Sequence, residues 1–274
     1  MFAKHLLPLS ARDRLRPTYN HLCKWLDDRK KTITESSIWP KPSEWRQSRS
    51  QFADVTDSAQ LYQTAIKEFG ILQVENEIVP FLDFVAEHDP KVIGEIGLKH
   101  GGNSFMFLRK LQNATLYLGM ALVLENISKL KFFRRPSQKM HILEGNSQLP
   151  VIVDKAKRHL GSQRFDFLFI DGDHEYDGVL EDLIQWYSLV KPGGLIAFHD
   201  IVPDQEARTG IRDESSRLWG GGVYKLWANI KPHFEHKEFV DNWEQGGFGI
   251  GVIIKPDDQP LAQNLIADWK ANGV

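Results

Sequence analysis

The densest chemistry in the chain lies at the ends of two apolar runs. Phe165-Asp166-Phe167-Leu168-Phe169-Ile170 delivers Asp171, Asp173 and His174, and Leu195-Ile196-Ala197-Phe198 delivers His199 and Asp200. Two Asp/His sets brought to one edge support two kinds of chemistry. Carboxylate oxygens with imidazole nitrogens make a divalent-cation site. An imidazole beside a carboxylate is a general base, since histidine titrates near neutral pH.

A second signal is the stretch Gly94-Glu95-Ile96-Gly97-Leu98-Lys99-His100-Gly101-Gly102-Asn103-Ser104. It follows an apolar run and opens a helical pattern, where a helix N-terminus offers free N–H groups to an anion. Gly97 to Ser104 has the spacing of a nucleotide-binding P-loop, but Asn103 stands where the phosphate-reaching lysine belongs. The dinucleotide fingerprint is absent from this loop. What remains is an acid-x-Gly-x-x-x-Gly loop of Glu95, Gly97 and Gly101, whose acid can pair with the ammonium of a bound amino-acid moiety.

Positioning these groups requires alternating strands and helices. The pattern predicts strands at 92–96, 116–120, 140–143, 165–170 and 195–198, with helices at 104–111, 124–132, 150–160 and 178–190 between and after them. Such alternation implies a parallel sheet covered on both faces, with ligands beyond the carboxyl ends of its strands. Two helices, 58–69 and 74–88, precede it. After a helix at 224–230, strands at 237–240 and 248–254 are separated only by 241–247. That link suits an antiparallel hairpin and not a crossover. The expected fold is α/β, a doubly wound, mostly parallel seven-stranded sheet ending in an antiparallel hairpin, with an N-terminal helical extension.

The domain division expected is 1–70 as a basic extension and 71–274 as the catalytic domain. The first fifty residues hold eleven Lys/Arg against five Asp/Glu, a net of +6 in a chain whose formal charge is −2. Near-neutral overall charge argues against a dedicated nucleic-acid binder. A single cysteine, Cys23, excludes an internal disulfide framework and a Cys-based zinc site. No apolar run approaches the ~20 residues of a spanning helix, and Met1 to Arg16 does not read as a signal peptide. A soluble, cytoplasmic protein without a transmembrane segment is expected.

These residues resemble those of class I S-adenosylmethionine-dependent methyltransferases. The similarity is greatest to the branch called methyltransferase family 24, with likeness to cephalosporin-hydroxylase-like and macrocin-type O-methyltransferases, over about Phe69 to Lys255. The stretch Ile170-Asp171-Gly172-Asp173-His174…Lys191-Pro192-Gly193-Gly194…Phe198-His199-Asp200 carries it, and Glu95-Ile96-Gly97…Gly101-Gly102-Asn103-Ser104 supports it. The resemblance implies S-adenosylmethionine as cofactor. Glu95, Gly97, Gly101, Gly102 and Ser104 would serve its methionine part and Asp171 its amino group. Glu144-Gly145-Asn146-Ser147-Gln148 resembles the segment of catechol-type enzymes that faces adenine, which implies Ser147 and Gln148. In metal-dependent relatives the acid at Asp171 joins two residues after the next strand, here His199 and Asp200, in binding Mg²⁺. His199 departs from the usual oxygen ligand and shifts the expectation toward a softer divalent ion or none. A second departure is Met120, which stands where the family's ribose-binding acid belongs; Glu125 is the next acid, five residues on.

The activity implied is methyl transfer to a small-molecule hydroxyl of a sugar, phenol or natural product, with His174 or His199 as base, or a metal at Asp171/Asp200 lowering the hydroxyl pKa. A homo-oligomer is compatible with this reading. Two rivals stay open: a metal-dependent hydroxylase-like enzyme, and a fold relative with lost cofactor binding that acts as a scaffold subunit. On the acceptor side, Trp219-Gly220-Gly221-Gly222-Val223-Tyr224 reads as a lid with glycine hinges. Trp243, Gln73 and Glu75 are further candidates to reach the cleft.

Overall fold

The computed structural model describes residues 55–123, 125–211 and 220–273. Residues 1–54 of the expected extension, Cys23 and Trp219 lie outside them. The chain's second unit, Gln47–Val274, is built on seven strands: β1 (Val92–Ile96), β2 (Leu116–Ala121), β3 (Lys139–Glu144), β4 (Phe165–Ile170), β5 (Val190–His199), β6 (His236–Phe239) and β7 (Ile250–Ile254). Their order is β3-β2-β1-β4-β5-β7-β6. The first five are parallel, and β7 pairs antiparallel with both β5 and β6. Strand order reverses between β1 and β4, which makes the carboxyl ends of those strands the topological switch point.

Helices cover both faces. They are α1 (Ser58–Phe69), α2 (Glu75–Glu87), α3 (Gly102–Lys110), α4 (Ile127–Phe133), α5 (Pro150–Leu160), α6 (Tyr176–Trp186), α7 (Gln205–Thr209), α8 (Val223–Ile230) and α9 (Gln263–Asn272). The central strands are buried on both sides, so they read as mainly apolar runs, broken only by Glu95 in β1 and Asp166 in β4. Strand alternation then sorts them between two cores. Val92, Ile96, Leu118, Met120, Leu168 and Ile170 face α5, α6 and α8. Ile93, Tyr117, Phe167, Phe169 and Val252 face α1 to α4. Phe81 of α2 is the hub of the second core, with ring centroids 5.6–5.9 Å from those of Phe167, Phe169 and Phe239.

The predicted strands all form, those at 92–96 and 165–170 with the bounds expected and the other five with shifted ends. The helix expected at 178–190 begins at Tyr176 and passes through a 3₁₀ turn, Tyr187–Leu189, directly into β5. That strand already includes Lys191-Pro192-Gly193-Gly194, which the sequence placed in a loop. The last strand starts at Ile250, two residues later than expected. Phe248 (φ 64°) and Gly249 (φ 79°) are left-handed, and their N–H groups go to carboxylates instead of the ladder.

Candidate active site at the carboxyl edge of the sheet

The glycine loop is a continuation of the sheet. The Gly97 N–H donates to Met120 O (2.8 Å), and the Asp171 N–H donates to Ile96 O (2.8 Å). Parallel pairing thus runs past the end of β1 on both sides. Gly97 is obligatory: its φ is +88°, and a Cβ there would lie 1.9 Å from the carbonyl oxygen of Asp171. The glycines were expected to admit a ligand, and this one first admits a neighbouring backbone. Gly101 (φ 86°) is the N-cap of α3, packed on Leu130, and Gly102 opens the helix against Ile71.

Glu95, the acid of this loop motif, is fully buried. Its Oε2 accepts hydrogen bonds from Ser104 Oγ (2.8 Å) and from the Tyr117 hydroxyl. Its Oε1 has no partner. Burial pushes the carboxyl up, the two hydrogen bonds pull it back, and the charge of Asp171 adds to the rise, leaving it at about 8. Burial likewise holds the Tyr117 hydroxyl well above its usual range, so it remains a donor. Tyr117 was not singled out by sequence. It sits on β2 opposite Ile93, two residues from Glu95 on the same face, a placement that needs the strand register to be seen.

The second cluster forms where β4 and β5 end. His174 Nδ1 lies 2.7 Å from Asp200 Oδ2, and its Nε2 lies 3.7 Å from Asp171 Oδ1. Asp200 also accepts from the Phe248 N–H (3.0 Å). His199 is buried, with Nδ1 3.3 Å from Oδ1 of both Asp171 and Asp200. Burial opposes charge on both imidazoles, but the carboxylates prevail and raise them, His199 strongly. Asp200 is buried too, yet the two histidines drive its carboxyl far below the ordinary range. Ligand atoms of Asp171, His174 and Asp200 fall within 4.8 Å of one another. The sequence placed His199, not His174, in the metal set beside Asp171 and Asp200.

Ser147 and Gln148 point into hydrogen bonds within the protein. Ser147 Oγ donates to Asp182 Oδ1 (2.6 Å), and Gln148 Nε2 donates to Asp173 Oδ2 (3.1 Å) and Gly178 O (3.2 Å). Asp182, unnoticed by sequence, is fully buried, and burial lifts its carboxyl to about 7 against the pull of Ser147. Met120 is buried among Leu143 and Ile152 in the α5–α6 core. Glu125 is brought back to the glycine loop, with Oε2 2.5 Å from His100 Nδ1. Spacing alone could not show this return.

The residues expected on the acceptor side are placed as follows. The Gln73 backbone carbonyl accepts from Tyr62, and Glu75 accepts from Gln63 on the surface. Glu77, two residues further along α2, is the acid that reaches the sheet edge. It is fully buried and accepts from the Gly249 N–H (2.8 Å), Gln245 Nε2 (2.5 Å) and Asp241 N–H (3.2 Å). Trp243 is partly exposed, with the Lys231 ammonium 5.8 Å from its ring. The Gly221-Gly222 segment is packed and not hinge-like. The Gly222 N–H donates to His174 O (2.7 Å), and a Cβ on Gly221 would lie 2.1 Å from that same oxygen.

Comparison with known proteins agrees with this architecture. Residues 95–201 match the family model Methyltransf_24, a methyltransferase domain. A viral relative, "Uncharacterized protein R132" of Acanthamoeba polyphaga mimivirus, is 31% identical over 122 residues, 42% of this chain and 53% of the relative. The chain therefore spans about half the length of the curated relative it matches. Among solved structures, the MycE methyltransferase from the mycinamycin biosynthetic pathway, in complex with Mg, SAH and mycinamycin VI, superposes with a TM-score of 0.50 at 16% identity. That alignment covers 75% of this chain and 56% of the other. An O-methyltransferase from Bacillus cereus in complex with SAH aligns over 82% of this chain and 97% of its own, with TM-score 0.46 and 18% identity. The fold is similar to that of class I S-adenosylmethionine-dependent methyltransferases, and the sequence similarity to a methyltransferase domain covers residues 95–201.

Proposed function

We propose that the chain is an S-adenosylmethionine-dependent methyltransferase acting on a hydroxyl of a small molecule. The observation that carries this reading is the convergence, at the switch point of the sheet, of a glycine loop holding a buried acid with an unpartnered oxygen and of a His174–Asp200 pair. The family match over this region supports it, and MycE is a relative in fold whose structure holds SAH. The residues fit such a cofactor: Glu95 and Asp171 offer carboxyl oxygens for its ammonium, and the N-terminus of α3 offers free N–H groups for its carboxylate. Glu125, held beside His100, replaces Met120 as the acid on the ribose side. When bound, the cofactor supplies an electrophilic methyl carbon.

The chain's own part is to align and deprotonate the acceptor. Asp200 lies against Nδ1 of the His174 ring, which leaves Nε2, on the Asp171 side, as the proton acceptor. Phe248 holds Asp200 from the other side. Asp171, His174 and Asp200 also fit a divalent cation in donor type and spacing. Bound there, a cation would lower the pKa of an acceptor hydroxyl, and the nitrogen donor favours Mn²⁺ or Zn²⁺ over Mg²⁺.

The test is SAH formation from S-adenosylmethionine across a panel of hydroxylated glycosides and phenols, with and without a chelator. Turnover with at least one acceptor is expected. In His174→Gln it should fall at least a hundredfold while the Kd for SAH stays within about threefold. A protein that binds neither S-adenosylmethionine nor SAH would sink the proposal and favour the scaffold reading.

A further inference from the structure

The trio of Glu95, Ser104 and Tyr117 is more than a loop motif requires. Ser104 Oγ and the Tyr117 hydroxyl both address the same oxygen of Glu95, and the Tyr117 oxygen lies 2.8 Å from Ser104 Oγ. The other oxygen, Oε1, is buried and has no partner among the described residues. A carboxyl group in that position is costly unless something arrives to use it. No lysine, arginine or histidine is among the groups acting on Glu95. Those groups are Tyr117 from β2, Ser104 from α3 and, at longer range, Asp171 beyond β4.

We propose that Tyr117 is a positioning residue for cofactor capture. With Ser104 it fastens Oε2 of Glu95 and leaves Oε1 as the seat of the cofactor's amino group, so that binding expels one proton to solvent. The inference rests on the reading given under Proposed function. The balance is simple. A neutral Glu95 carboxyl and a ligand ammonium become a carboxylate–ammonium pair, and the carboxyl proton leaves to buffer. The Tyr117 hydroxyl stabilises the charged form that results, which matches its role as a buried donor that does not itself ionise. Without a permanent cation beside it, Glu95 is charged mainly when the ligand supplies one.

Calorimetric titration of the full chain with SAH, between pH 6 and pH 8 and in two buffers of different ionisation heat, tests this directly. The wild type is expected to release close to one proton per SAH at pH 6–7. Its affinity should rise about tenfold from pH 6 to pH 7, because only the deprotonated fraction binds. Tyr117→Phe should displace this profile to higher pH, and Glu95→Gln should abolish both the proton release and the pH dependence. A structural role for Tyr117 would alter melting temperature but leave the profile in place. SAH binding by the wild type without proton release, a Tyr117→Phe profile superposing on the wild type, or proton release persisting in Glu95→Gln each overturns the proposal while the cofactor reading stands. No SAH binding at any pH overturns both.

Discussion

Individual residues at this site are fixed by backbone contacts as much as by ligand chemistry. Gly97→Ala would drive a methyl group into the Asp171 carbonyl at a φ that non-glycine residues rarely adopt. A loss of several kcal/mol of stability is expected, read as a fall in melting temperature together with loss of SAH binding. Asp182 gives a pH prediction. Its carboxyl is at about 7 in the fold against an ordinary 3.8, so the folded state holds the proton more tightly than the unfolded one. Stability contributed by the neutral form is therefore complete below about pH 4 and declines as pH rises toward 7. Asp182→Asn mimics the neutral acid, so its melting temperature should fall less than the wild type's between pH 5 and pH 8. Glu125→Ala should weaken SAH binding about tenfold, the scale of one lost charge-assisted hydrogen bond. Equal affinity in that variant would remove Glu125 from the site. Asp171, His174, His199 and Asp200 were all visible in the sequence because apolar runs announce the strand ends that carry them. Tyr117 and Asp182 were not, since each looks like an ordinary member of an apolar strand or a helix until register or packing places its oxygen.

At the level of elements, α2 and the 240–249 connection behave as one piece. Glu77 gathers two backbone N–H groups and one side-chain amide from that connection, and Arg208 of α7 grips the carbonyls of Trp243 and Gln245 from outside. The segment carries paired glycines at 246 and 247, yet it is strapped on both sides. Glu77→Ala leaves three donors without their acceptor, at on the order of 1–3 kcal/mol for each one that stays buried. It should speed hydrogen exchange at Asp241 and Gly249 by at least tenfold. Unchanged exchange there would show that the connection is held elsewhere. Strand number and direction were legible from alternation and loop length. The ends of β5 and β7 were not, because left-handed residues and a Pro-Gly-Gly segment inside a strand contradict the local propensities that define ends.

For the whole molecule, the two faces of the sheet carry different duties. The α1–α4 face holds Tyr117 and an aromatic cluster centred on Phe81; the face covered by α5, α6, α8 and α9 holds Met120, Trp186 and Trp227. Both meet at the edge where β1, β4 and β5 end, and no described helix is long and apolar enough to cross a membrane. Ligand binding to the native state alone raises stability by mass action, so SAH at one hundred times its Kd should add about 2.7 kcal/mol. For a unit of this size that corresponds to a melting shift of roughly 5–10 °C. A shift with Mg²⁺ or Mn²⁺ alone would report the Asp171–His174–Asp200 group independently of turnover.

The ladder that runs past β1 into Gly97 and across to Asp171 has a consequence for timing. The floor of the cleft is woven into the stiffest part of the molecule, so an arriving ligand has no strand to recruit and little backbone entropy to remove at that point. Association should then be limited by collision and desolvation and not by rearrangement, with single-exponential kinetics whose observed rate climbs linearly with ligand concentration and shows no plateau.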